Sequence, residues 1–282
     1  MSGSSFEMLH LDRLPPPEHV EKRVDELLDL RGRYAAVTGG AGPNLGQAIV
    51  HRLAGLGASV AILHRAGKSA AAARQVVSDA AERWGATVVA IEADVSDWDA
   101  AHRAAHQVVE ALGGLDIWVN NAGGSFRTLP FADLSREELD GILEGYLTPT
   151  VYGTHAALQV MLPQKHGRII NISSGAAYEA NPNLVTYGVA KAGVNALSEF
   201  LGSEIGPQGV TIAGVAAGSM IGQARREAIA NYGEEALRSM AEAVAKKSIG
   251  RYSSPEEVAN MVAFLATDAG AYVHGTTIRM TG

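Results

Sequence analysis

From Arg33 onward, short apolar runs alternate with longer stretches whose apolar positions recur every three or four residues. The runs lie at 34–38, 59–63, 87–91, 116–120, 168–172, 210–215 and 276–280. Each is too short and too rich in β-branched residues for a buried helix, so each predicts a strand. Between them lie helical patterns, beginning at 45–56, where Leu45, Ile49, Leu53 and Leu56 mark one apolar face. Parallel strands need crossover connections, and strand–helix alternation supplies them. The expectation is an α/β fold: one doubly wound parallel sheet in strand order 3-2-1-4-5-6-7 with helices on both faces.

Residues 1–30 break this rhythm. Leu14 is followed by Pro15, Pro16 and Pro17, a stiff extended segment, and 18–30 is a charged amphipathic stretch with Val20, Val24, Leu27 and Leu28 at helical spacing. It is read as an N-terminal arm, with 31–282 as one domain. Residues 219–249 are rich in charge and alanine and fall between the sixth strand and a helix start at Pro255, Glu256 and Glu257. They would overhang the strand ends, a position that suits a lid over a ligand crevice.

Composition narrows the function classes. A chain of 282 residues, 47% of them hydrophobic, can bury one large core. A net charge of −7 with no basic run argues against nucleic acid or an anionic membrane as partner. Cysteine is absent, which removes disulfides and thiol catalysis. No apolar stretch approaches membrane-spanning length and Met1 to Glu7 lack the features of a signal peptide, so a cytoplasmic protein is expected.

Three residues carry the candidate chemistry. Tyr187 and Lys191 are four apart, which on a helix places phenol and ammonium on one face. A nearby cation favours phenolate, and the expectation is a Tyr187 pKa moved toward neutrality. Ser174 closes the fifth strand and can hydrogen-bond the same substrate oxygen. Directly after the first strand, Thr38, Gly39, Gly40, Ala41, Gly42, Pro43, Asn44, Leu45 and Gly46 form a glycine-rich turn opening a helix. Glycine permits close backbone approach, and a helix N-terminus offers N–H groups to a pyrophosphate. His102 and His106 also lie at i, i+4 spacing, but with no convincing third ligand they read as an exposed helical face, and no metal is predicted.

In order along the chain, Thr38-Gly39 to Gly46, Asp94-Val95, Asn120-Asn121-Ala122-Gly123, Ser174, Tyr187 with Lys191, and Ala217-Gly218 resemble the short-chain dehydrogenase/reductase family, which includes 3-oxoacyl-carrier-protein reductases and many ketoreductases. The resemblance covers residues 31–282. It implies a Rossmann-like domain with Asn44 and Leu45 at the pyrophosphate and nearby ribose, and Asp94 and Val95 at the adenine. Asn121, Ala122 and Gly123 would meet the central part of the cofactor, Lys191 the nicotinamide ribose, and Gly218 and Met220 the carboxamide. The implied reaction is hydride transfer between nicotinamide and a carbonyl carbon, with Tyr187 giving or taking the proton, Ser174 holding the oxygen and Lys191 supporting the phenolate. Related enzymes pair their long helices, and Gly188, Ala190, Ala192, Gly193 and Ala196 leave small surfaces on the Tyr187 helix, so a homotetramer or homodimer is expected.

At the end of the second strand, where a carboxylate usually selects NAD, the chain has His64 and Arg65. Arg65 can pair with a phosphate through two N–H groups, which favours NADP(H) over NAD(H). The family's helix asparagine is replaced by Tyr146, the glycine-rich loop is one residue longer and carries Pro43, and Ser219, Met220 and Ile221 follow Gly218. Pro149 would free the carbonyl of Gly145, a main-chain oxygen able to stand in for the missing amide. Ser125, Phe126, Arg127, Tyr146, Tyr178, Asn181, Met220 and Ile221 are expected around a pocket for a medium-sized, mostly apolar ketone or alcohol. Two alternatives stay open at this point: isomerisation or dehydration with a retained cofactor, and a nucleotide-binding scaffold without turnover.

Overall fold

A computed structural model describes residues 21–124 and 128–282. After a short helix α1 (Val24–Leu27), the elements alternate: β1 (Tyr34–Thr38), α2 (Leu45–Gly55), β2 (Ser59–His64), α3 (Lys68–Trp84), β3 (Val88–Glu92), α4 (Trp98–Leu112) and β4 (Ile117–Asn120). Two helices, α5 (Arg136–Tyr146) and α6 (Thr148–Gln164), precede β5 (Gly167–Ser174), followed by α7 (Val185–Ile205) and β6 (Val210–Ala217). The chain then forms α8 (Gln223–Ile229), α9 (Glu234–Ala245), α10 (Pro255–Ala266) and β7 (Thr276–Met280). Every strand pair is parallel and the order is β3-β2-β1-β4-β5-β6-β7, as the alternation predicts.

Strand side chains alternate between two cores. Ala35, Val37, Val60 and Ile62 face α2, α3 and α10, whereas Ala36, Ala61 and Leu63 face α4 and α6. The start of α10 is fixed by Ser254, whose hydroxyl accepts the N–H of Glu257 while the Glu257 carboxylate accepts the N–H of Ser254. Between β1 and β4 the strand order reverses direction, and loops leaving the two strands diverge there to open a crevice.

A buried hydrogen-bond network ties the elements beneath that crevice. Trp118 Nε1 donates to Asn120 Oδ1 (2.7 Å), and Asn120 Nδ2 donates to Thr154 Oγ1 and Asn171 Oδ1 (2.9 Å each). Asn171 Nδ2 donates to Ser198 Oγ (3.0 Å), which donates to the Val194 carbonyl. These polar side chains are satisfied inside the protein, so β4, β5, α6 and α7 are locked in one arrangement. Gly153 makes room for it, because a Cβ there would run into Asn120 Oδ1.

Two expectations change. Within 18–30, the described helix is the single turn α1, and Val24 is 70% exposed. A helix this short without a buried face has little to stabilise it. Leu30, placed at the end of the arm, is instead a core residue, 2% exposed, with its N–H on the Leu56 carbonyl. Strand β5 ends at Ser174, where the sequence closes it, whereas β6 runs past its predicted end through Ala217, because the two pair over eight consecutive residues.

Candidate functional site

Thr38 closes β1 at the crevice, and its Oγ1 accepts the N–H groups of both Asn121 and Ala122 (2.9 Å each). Asn121 answers by donating Nδ2 to the carbonyls of Thr38 (2.9 Å) and Gly39 (3.2 Å). The side chain of Asn121 therefore fastens the glycine-rich turn to the end of β4. Gly39 adopts φ +64°, a left-handed conformation that favours glycine, and a Cβ at Gly46 would collide with the Gly39 carbonyl. The turn thus packs tightly on the first turn of α2, which starts at Leu45 with Asn44 before it.

Gly39, Asn44, Leu45, His64, Arg65, Asp94, Val95, Asn121, Ala122 and Gly123 all line one cavity of about 470 Å³. Its inner end is bounded by Gly124, Glu144, Gly145 and Pro149. Arg65 is exposed and also borders an adjoining hollow with Ser69, Asp94 and the exposed Glu92. His64 is buried, with Nδ1 2.9 Å from the Arg65 carbonyl. Asp94 accepts the N–H (3.0 Å) and hydroxyl (2.6 Å) of Ser96, while the cap of α4 is Asp97, which accepts the Ala100 N–H. The cavity fits a dinucleotide: side-chain-free walls at the turn, an elongated volume of ligand size, and a guanidinium with no carboxylate at the end of β2.

Ser174, Tyr187 and Lys191 do not themselves line this cavity; they connect to its wall through Tyr146, whose ring meets Tyr187 and Lys191 and whose hydroxyl donates to Gly124. Ser174 is the last residue of β5, and its Oγ accepts the Ala176 N–H (3.2 Å) and shares a hydrogen bond with Tyr187. Gly188 lets α7 approach this turn, since a Cβ there would lie 2.8 Å from the Ala176 carbonyl. Lys191 is 5% exposed and donates Nζ to the Ile172 carbonyl (2.8 Å). Burial lowers its pKa to about 8.

Here the structure corrects an expectation. Burial raises the Tyr187 pKa above the usual phenol value, with the Ser174 hydrogen bond pulling it down. The Lys191 ammonium does not contribute to this shift: its Nζ donates to the Ile172 carbonyl and lies 5.3 Å from the ring centroid of Tyr146. The Tyr187 phenol is therefore protonated at neutral pH.

Other expected site residues are placed differently. Tyr146 does not line a substrate pocket: it is 9% exposed and packs with Ile142, Ala190, Leu147 and Tyr187. Gly218 donates its N–H to the Met280 carbonyl (2.9 Å), and Met220 pairs with Ser253 and packs on the core around α2 and α10. Neither lines the cavity. Tyr178 is 39% exposed and is covered by the Arg279 guanidinium, 4.1 Å from its ring, outside the cavity. Ser125, Phe126 and Arg127 lie outside the described residues. Thr38 and the Ile172 carbonyl were missed as site groups. The pairing of a threonine with the Asn120-Asn121 run was the available signal for the first, and no side chain marks the second.

The bend between α5 and α6 falls at Leu147, two residues before Pro149, and brings Gly145 and Pro149 to the cavity. Small residues of α7 divide into two sets. Gly188, Ala190 and Gly193 face inward, Gly193 against Leu147, whereas Ala192 and Ala196 join Val185, Val189 and Phe200 on the outer stripe.

Comparison with known proteins agrees with this geometry. The profile of the family described as Enoyl-(Acyl carrier protein) reductase matches residues 40–282. The chain is 31% identical to a 3-oxoacyl-(acyl-carrier-protein) reductase of Aquifex aeolicus, covering 90% of this chain and 98% of that one. It is also 31% identical to a cyclohexanol dehydrogenase of a Rhodococcus species, covering 90% and 97%. Among solved structures, a short-chain dehydrogenase of Burkholderia cenocepacia in complex with NADP superposes with a TM-score of 0.77 at 33% identity, over 90% of this chain and 98% of that chain. A short-chain dehydrogenase/reductase of Serratia marcescens gives 0.79 at 31%, over 90% and 98%. With matches spanning nearly the whole domain and the Ser174, Tyr187 and Lys191 groups gathered at the strand ends, the chain belongs to the short-chain dehydrogenase/reductase family.

Proposed function

We propose that this protein is an NADP(H)-dependent oxidoreductase that reduces a ketone to an alcohol, or runs the reverse. The reading is supported by the Ser174–Tyr187 hydrogen bond and by Tyr146, whose ring contacts Tyr187 and Lys191 and whose hydroxyl donates to Gly124 in the wall of a cavity of dinucleotide size. Relatives named for ketone and alcohol substrates support it.

When bound, the nicotinamide would supply or accept the hydride. Tyr187, which burial keeps protonated, would donate its phenolic proton to the substrate oxygen in reduction. Ser174 holds that oxygen; its Oγ already accepts from Ala176, which leaves its own O–H for Tyr187 or substrate. Lys191, fixed by the Ile172 carbonyl, supports the phenolate left behind and would hold the nicotinamide ribose. Residues 219–249, which form α8 and α9, would act as the lid, with the Gly222 backbone already against Asn44 of the glycine-rich loop. A medium-sized, mostly apolar ketone is the substrate class.

Arg65 would carry the cofactor preference through the extra phosphate of NADP. Arg65→Ala should raise KM for NADPH roughly 10- to 100-fold, the loss of a charge-assisted hydrogen bond, and leave KM for NADH nearly unchanged. Steady-state kinetics with both cofactors checks this; a parent enzyme as efficient with NADH as with NADPH would overturn the NADP(H) assignment.

Assembly into a homotetramer or homodimer would use α7. Its outer stripe exposes Val185 (47%), Val189 (58%) and Phe200 (76%), more apolar surface on one helix face than a lone domain is expected to leave in water. Light scattering at micromolar concentration should report an oligomer, and Phe200→Glu should shift it to a smaller species. A parent protein that scatters as a monomer removes this assignment.

A further inference from the structure

At the position of the missing helix asparagine, Tyr146 touches both Tyr187 and Lys191. It is the last residue of α5, at the bend before Pro149. Its ring meets that of Tyr187 edge to face, with centroids 4.9 Å apart and planes at 82°. Lys191 Nζ lies over the same ring, 5.3 Å from the centroid, within cation–π reach. Its hydroxyl donates to the Gly124 carbonyl (2.5 Å), at the inner wall of the cavity. A Cβ at Gly123 would lie 2.9 Å from the ring edge, so the loop is shaped to the tyrosine.

We propose that Tyr146 is a positioning residue: its ring holds the Lys191 ammonium and the Tyr187 phenol in register, and its hydroxyl ties both to the backbone at Gly124. An asparagine would act by polar groups; Tyr146 acts on the ammonium of Lys191 by its π face. The role of Lys191 in turnover rests on the redox reading above, but its attachment to Tyr146 does not.

The surroundings of Lys191 leave the ring a clear effect. Tyr146 approaches from α5 and Tyr187 lies one turn earlier on α7, while β5 presents the Ile172 carbonyl and the hydroxyls of Ser173 and Ser174. Desolvation alone lowers the Lys191 pKa, with no carboxylate opposing it. Burial also pushes the Tyr146 phenol up to about 12, so the ring is neutral wherever Lys191 titrates. Removing the π face removes a contact that favours the charged amine, and the pKa must fall.

The test is the titration of Lys191 in the cofactor-free protein, followed by NMR of 13Cε-labelled lysine and assigned by the signal lost in Lys191→Arg. Tyr146→Leu is expected to lower the midpoint by about half to one and a half pH units. Tyr146→Phe should titrate with the parent, whereas pentafluorophenylalanine at 146, with the same shape and a reversed π face, should follow leucine and covers the case in which Tyr146→Leu fails to fold. In turnover, the alkaline limb of kcat/KM should move down with the same series. Tyr146→Phe should raise only KM for the cofactor, roughly 2- to 10-fold, for the lost bond to Gly124. Equal midpoints for phenylalanine and its fluorinated form, or a fall with Tyr146→Phe as large as with leucine, would overturn the proposal. A parent that reduces no ketone yet shows this titration series overturns the redox assignment and leaves Tyr146 as the holder of Lys191.

Discussion

Tyr187→Phe is expected to slow ketone reduction roughly 10²- to 10⁴-fold, the range that a positioned general acid contributes. The ring remains, so its edge-to-face contact with Tyr146 and the packing of α7 against β5 are retained. The proton donor is lost, together with the hydrogen bond to Ser174. Binding of reduced cofactor should change little, because the cavity walls at the glycine-rich turn, at Asp94 and at Arg65 are untouched. Two measurements separate these effects: the decay of reduced-cofactor absorbance with a panel of ketones, and a fluorescence titration of the cofactor. Turnover within tenfold of the parent would show that another group delivers the proton. Cofactor bound tightly by a parent that consumes none would instead mark a scaffold.

Lys191→Met should abolish turnover and, in the cofactor-free protein, change how stability depends on pH. The folded-state pKa of Lys191 lies at about 8, below the free-lysine value of 10.5. Between these values the unfolded chain binds more protons than the folded one, so the parent gains stability as pH rises through this window. Below about pH 8 the protein carries the cost of burying an ammonium; above about 10.5 that cost is gone. Methionine has no proton to lose. Relative to the parent, Lys191→Met should therefore be more favoured at pH 7 than at pH 10, by on the order of 2–3 kcal/mol. Loss of the bond to the Ile172 carbonyl offsets part of the gain at either pH, so the difference between the two pH values is the quantity to read. Urea unfolding of both proteins at the two pH values measures it, and a variant-minus-parent difference that stays constant would mean that Lys191 titrates normally.

Much of the architecture was legible because parallel strands buried on both faces leave continuous apolar runs, and seven such runs found seven strands in the expected order. Strand ends were less visible: the sixth apolar run stops at Val215, yet the ladder between β5 and β6 carries the strand on through Ala216 and Ala217. The cavity lining from Gly39 to Gly123 was accessible because close backbone approach demands particular residues at particular offsets. Contacts made through tertiary packing were not. Met220 looked like a cofactor neighbour but its side chain packs on the core, and Tyr178 lies under Arg279, a hundred residues further along. Tyr146 was assigned to substrate because an aromatic at an open crevice is expected to meet ligand. Its true neighbours, Gly123 and Gly124, are glycines whose missing side chains make the room it occupies.

The support beneath the reacting groups runs from Trp118 through Asn120 and Asn171 to Ser198, with Thr154 as a side branch. An indole, two amides and two hydroxyls make up that chassis, and none of them gains or loses a proton across the range in which proteins work. Acidity can thus alter the state of the amine and the phenols without deforming what they are mounted on. Drifting pH would meet an unchanged frame carrying a retuned centre.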